Sequence, residues 1–232
     1  MKTSASKTMV VCAAFLAALC AGQTQVMAGP TYSGSLSYSP PADASDGLVV
    51  GGNNWGNNTV TLSWTVADTD GDGTWLYTYH MVKTGTGAGY SHFVLECSPE
   101  LMLSDISGLT NASFSGENPT LQRVDSGNPE MPEDVYGLRF NPLSGGMTDW
   151  TWSFLCTRAP VWGDFYAKDG GNPVDMAYNE GFSRTDPIAG PSNGTVDNHI
   201  LRPDTTTYIP APAALLLAGL GTAMVGWLRR RA

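Results

Sequence analysis

Thr59 to Val66 reads TVTLSWTV, and its strict alternation decides the class of fold. Val60, Leu62, Trp64 and Val66 point one way, and Thr59, Thr61, Ser63 and Thr65 point the other, as in a strand with one buried face. Thr74 to Val82 repeats the pattern, with Trp75, Tyr77, Tyr79 and Met81 sharing a face. The Asp68–Gly73 connection between them is rich in Asp and Gly, so the two stretches read as a hairpin. Further strands are expected at Gly34–Tyr38, Leu48–Val50, His92–Cys97, Leu121–Val124, Val135–Phe140, Thr148–Cys156 and Asp164–Ala167. Strands at this spacing, with turn residues between them, predict an all-β antiparallel sandwich of jelly-roll type. Only Ser98–Ile106 reads as a helix, with Ser98 as cap and Pro99 in the first turn. No internal repeat or long linker divides this body, taken as one domain over residues 29–208.

Outside the body the chain changes character. Residues 1–28 carry Lys2 and Lys7, then the apolar run Met9–Leu19, then Val26-Met27-Ala28. That order predicts a secretory signal with a mature start near Gly29; a cut after Ala21 is the competing site. Residues 209–232 open with Ile209-Pro210-Ala211-Pro212, continue with an uncharged apolar segment to Leu228, and close with Arg229, Arg230 and Arg231. As a helix, Ala211–Leu228 spans about 27 Å, barely the hydrocarbon layer of a membrane. The terminal arginines would stay cytoplasmic.

This tail resembles the PEP-CTERM sorting signal of exported bacterial proteins, with Ala211 where Pro-Glu-Pro is usual. The alternative is a simple membrane anchor. The resemblance covers only the tail and implies secretion machinery and an exosortase-type transpeptidase as partners. It also implies transient membrane anchoring, processing near Pro210–Pro212, and residence at the cell surface or in an extracellular polysaccharide matrix. Ser91–Glu96, Val135–Phe140 and Ala159–Gly171 are also similar to stretches in such exported proteins, and they name no activity.

Charge agrees with an exterior life. The chain has 21 Asp+Glu and 12 Lys+Arg, net −9. All the acids lie between Asp43 and Asp204, where only seven bases lie, so the body stands at −14. Such a body repels a phosphate backbone, which excludes nucleic acid as a partner.

The body holds several candidate sites. Cys97 and Cys156 end predicted strands in an oxidising compartment, which suggests a disulfide; two buried free thiols are the other reading. Asp68, Asp70 and Asp72 alternate as in the first half of an oxygen-rich calcium loop. An EF-hand is excluded because the twelfth position is Tyr79, and a hairpin turn using Asp-Gly steps is the simpler reading. Trp55, in a Gly/Asn-rich loop, and Trp162, before Gly163, are candidate surface platforms for a glycan, while Trp64 and Trp75 read as core.

Enzyme signatures are sparse. Glu96, Asp149 or Asp164 could serve glycoside hydrolysis, but sequence spacing does not show how far apart they stand. His80, His92 and His199 have no metal-ligand spacing, so zinc is not expected. The expectation is therefore a non-enzymatic exported surface protein. A calcium- or carbohydrate-binding module is the alternative, and a secreted hydrolase ranks behind both.

Overall fold

The computed structural model describes residues 29–40, 46–115, 118–125 and 127–207. The expected signal at 1–28 and tail at 209–232, with Pro210, Ala211, Pro212 and Arg229–Arg231, lie outside the described residues.

The described chain is all-β, with antiparallel sheets consistent with a β-sandwich. Its strands are β1 (Thr31–Tyr38), β2 (Leu48–Gly51), β3 (Val60–Ala67), β4 (Trp75–Lys83), β5 (Tyr90–Glu96), β6 (Ile106–Thr110) and β7 (Ala112–Phe114). They continue with β8 (Thr120–Gln122), β9 (Val135–Pro142), β10 (Asp149–Cys156), β11 (Arg158–Gly163), β12 (Phe165–Asp169), β13 (Met176–Asn179) and β14 (Ile200–Thr207). One sheet runs β1-β3-β4-β10-β6. A second runs β2-β13-β12-β5-β9-β7, with β8 also on β9, and β11 pairs with β14.

The decisive hairpin forms as read. Val60 pairs with Lys83 and Ala67 with Leu76. Val60, Leu62, Trp64 and Val66 are buried against Trp75, Tyr77, Tyr79 and Met81 in one core cluster. The sheets meet through aromatic rings: Phe93 of β5 packs edge-on against Trp152 of β10 at 4.7 Å between centroids. Phe140 of β9 stacks on Phe154 of β10 at 5.4 Å. Each such ring hides a large apolar area, so these inner faces carry most of the stabilisation.

The β11–β14 ribbon lies against β4. Tyr77 Oη donates to the Arg158 carbonyl at 2.9 Å, and Tyr79 Oη donates to the Leu201 carbonyl at 2.8 Å. The chain leaves β11 at Gly163, turns at Asp164, and enters β12 in the larger sheet. That corner and β14 position the cluster described below.

One local expectation fails. Ser98–Ile106 is no α-helix; only Leu103–Asp105 makes a 3-10 turn before β6 begins. Met102 and Leu103 are exposed, so the segment has no buried apolar stripe to hold a helix against the sheets. Among the described residues, no helix is long and apolar enough to cross a membrane.

Candidate functional site

The Asp68–Gly73 turn closes the β3–β4 hairpin and satisfies itself. Asp68 is buried, and its carboxylate accepts the Gly71 amide at 2.8 Å and the Gly73 amide at 3.2 Å. Asp72 Oδ1 accepts the Thr74 amide at 2.6 Å, which lowers its pKa. Gly71 and Gly73 have positive φ, which explains the glycines. Asp68, Asp70 and Asp72 still bring one oxygen each within 4.8 Å of one another. The turn reading accounts for the hydrogen bonds, and the convergence keeps the calcium reading chemically coherent.

The tryptophan platforms are corrected. Trp55 and Trp162 are both fully buried, so neither offers a face to a sugar. A 3-10 turn at Trp55–Asn57 folds Trp55 inward, edge-on to Tyr90 at 5.3 Å. Trp162 lies within β11, and its Nε1 donates to the Gly190 carbonyl at 3.3 Å. The disulfide is corrected as well. Cys97, just after β5, and Cys156, at the end of β10, are free, buried thiols. Burial pushes Cys97 up to about 12 and Cys156 up to about 11, so both stay protonated and unreactive.

The outer face of the five-stranded sheet carries a grid of hydroxyls. Register aligns Ser33, Thr65, Thr78, Ser153 and Thr110 in one row across all five strands. Ser35, Ser63, His80 and Thr151 form the next row. Ser37 and Thr61 start a third, which ends in Val82 and Asp149. Rows of this kind repeat about 4.8 Å across strands and about 6.7 Å along them. The side chains are exposed or half-buried, and a shallow cleft of about 380 Å³ opens over Ser35, Ser63, Thr65 and Thr78. Asp149 stands here, with His80 Nε2 2.8 Å from its Oδ1, and so is separated from Glu96 and Asp164.

Glu96 and Asp164 do come together, in a different place. A cleft of about 580 Å³ is lined by Glu96, Asp164, Asp186 and Arg202, with Tyr136 and Phe182 beside them. Glu96 ends β5, Asp164 occupies the β11–β12 corner, and Arg202 lies in β14. Arg202 Nη2 donates to Asp186 Oδ2 at 2.7 Å and to Glu96 Oε1 at 3.3 Å. Glu96 Oε2 accepts the Asp164 amide at 2.9 Å. Asn179 Nδ2 donates to Asp164 Oδ1 at 2.6 Å.

Electrostatics follow burial. Desolvation pushes Asp164 up to about 8, against the Asn179 hydrogen bond and helped by the Glu96 and Asp186 charges. Desolvation also raises Glu96, and the Arg202 guanidinium opposes that rise. Burial works against the Arg202 charge, but Glu96 and Asp186 outweigh it and hold the guanidinium protonated.

His199 closes the back of the cluster and is fully buried. Its Nε2 lies 3.5 Å from Asp164 Oδ1 and 3.8 Å from Asp186 Oδ1. The residue follows a tight turn in which Asp197 and Asn198 both have positive φ, and the His199 amide donates to the Val196 carbonyl at 2.9 Å. Asp and Asn tolerate that left-handed backbone better than other residues with a Cβ. Gly181 leaves room for the ring, since a Cβ there would meet His199 Cε1 at 2.7 Å.

No family model, no curated protein and no solved structure matches this chain.

Proposed function

We propose that this chain is an exported, non-enzymatic protein with a jelly-roll-like sandwich body. On this reading a PEP-CTERM-type tail sorts it through exosortase to the cell envelope or matrix. There its outer hydroxyl face meets extracellular polysaccharide. The hydroxyl grid is the observation that carries the contact: neutral donors and acceptors at regular spacing suit a partner that is itself an array of hydroxyls. No tryptophan among the described residues is exposed, so recognition would run through hydrogen bonds and bridging water instead of ring stacking. The Pro210–Pro212 and Arg229–Arg231 pattern supports the delivery.

Two measurements test this reading. Intact mass of the native surface product should show loss of residues 1–28 and of the tail beyond Pro212. Retention of Leu215–Ala232 in that product contradicts the sorting. Screening the protein on a glycan array should give binding to extended polysaccharides, and a blank array contradicts the contact.

Convergence of Asp68, Asp70 and Asp72 favours one further reading, a calcium-stiffened hairpin turn. Calcium should then raise the melting temperature of wild type but not of an Asp70→Ala, Asp72→Ala variant. An equal response in both removes calcium from this turn.

A further inference from the structure

The cluster behind the larger cleft contains a contradiction in its hydrogen bonding, and its resolution names a ligand. His199 Nδ1 lies 3.2 Å from the Val196 carbonyl oxygen, an acceptor, so the neutral ring carries its proton on Nδ1 and donates there. Nε2 is then a lone pair. It is fully buried and has no hydrogen-bond partner, yet it faces two carboxylate oxygens, Asp164 Oδ1 and Asp186 Oδ1. Three electron-rich atoms aimed at one another, with His199 and Asp164 buried, repel unless a proton or a metal cation lies between them.

We propose that Asp164, Asp186 and His199 form a binding site for one divalent transition-metal cation of the zinc class. Oxygen and nitrogen atoms of the three come within 4.8 Å of one another. A tetrahedral ion with bonds of about 2.0–2.1 Å separates its ligands by about 3.3 Å, a few tenths of an ångström inside the nitrogen–oxygen distances found here. The imidazole selects against calcium and magnesium, which take all-oxygen sets. Charge agrees. Once Asp164 gives up its proton to the incoming ion, Glu96, Asp164 and Asp186 against Arg202 stand at −2 with a neutral ring, which a divalent cation cancels.

The surroundings are those of a prepared ligand set. Val196 fixes the His199 ring through Nδ1, Asn179 holds the Asp164 carboxylate, and Arg202 holds Asp186 through Oδ2 so that Oδ1 is left for the site. Asp164 and Asp186 line the cleft, so an ion held here keeps a side open to solvent. The site depends neither on the route of export nor on the hydroxyl face, and it lies on different residues from the Asp68–Asp72 turn.

The test uses the full chain, stripped of metal and titrated with zinc against a chromophoric chelator. One equivalent should bind. Asp186→Asn and His199→Gln should each weaken binding at least about tenfold, while Asp70→Ala with Asp72→Ala leaves it unchanged. A folded wild type that takes up no zinc overturns the proposal. So does binding that is insensitive to both cluster variants, or lost with the turn variant. Cobalt substitution reads the wild type without any variant. Paramagnetically shifted ring protons of His199 support the site, and an unshifted ring overturns it.

Discussion

His199 Nε2 stands 3.5 Å from Asp164 Oδ1, although a corner between two strands carries one residue and a tight turn before β14 carries the other. Nothing local relates them. The β11–β14 ribbon brings them together, and its attachment to the sandwich passes through buried tyrosine hydroxyls.

Tyr79 is the clearest test of that attachment. Its hydroxyl donates to the Leu201 carbonyl at 2.8 Å inside the core. Tyr79→Phe keeps the ring and leaves the carbonyl without its partner, which costs about 1–3 kcal/mol. Urea unfolding should show a lower midpoint with an unchanged slope. An unchanged midpoint would mean that the ribbon is held elsewhere.

Gly181 tests the seat of His199. An added Cβ would lie 2.6 Å from the Asp197 carbonyl oxygen as well as against the ring. Gly181→Ala should lose about 1–3 kcal/mol through forced repacking. It should also shift the His199 ring resonances. A variant as stable as wild type with the ring unmoved would show that the close approach is not real.

His92 sets a pH dependence. It is fully buried, Arg139 Nη2 donates to its Nδ1 at 3.1 Å, and its Nε2–H donates to Asn128 Oδ1 at 2.8 Å. Burial, then the Arg139 charge and more weakly Lys168, lower its pKa to about 3, while the Asn128 bond opposes; the Tyr166 ring packs nearby. The folded state refuses a proton that the unfolded state accepts near its ordinary value. The stability from neutral His92 is therefore complete above about 6.5 and is lost as pH falls toward 3, at up to about 1.4 kcal/mol per pH unit. His92→Gln should flatten the fall in stability between pH 6.5 and 4.5. Parallel curves for the two proteins would contradict this.

The cysteines give a redox prediction. With Cys97 and Cys156 free and buried, alkylation in denaturant without reductant should label both, and native protein should label neither. Peptide mapping that finds them labelled only after reduction would establish a bridge instead.

The sandwich was legible where a strand has one wet and one dry face. Thr59–Val66 and Thr74–Val82 alternate strictly, and both formed the expected hairpin with the expected inner residues. β11 and β14 were not legible, because Pro160 and Pro203 argue against ordinary strands. They are tolerated because the two prolines face each other in a two-stranded ribbon, where some positions need no ladder amide. Trp55 misled because a Gly/Asn loop suggests exposure, whereas the short turn folded its ring inward. The His199 cluster was invisible to spacing rules, since its members come from separate connections. The one local clue was Asp197-Asn198 before His199, a pair suited to a left-handed turn that presents the next side chain.

The contact with polysaccharide is most directly tested by isosteric removal of hydroxyls from the longest row. Thr65→Val with Thr78→Val keeps shape and strand propensity while deleting two donors at the centre of the outer face. Affinity for extracellular polysaccharide from the producing cells should fall at least about tenfold, while an Arg123→Ala control on the other sheet's side binds as wild type. Equal affinity in the double variant and wild type would contradict the hydroxyl face as the binding surface.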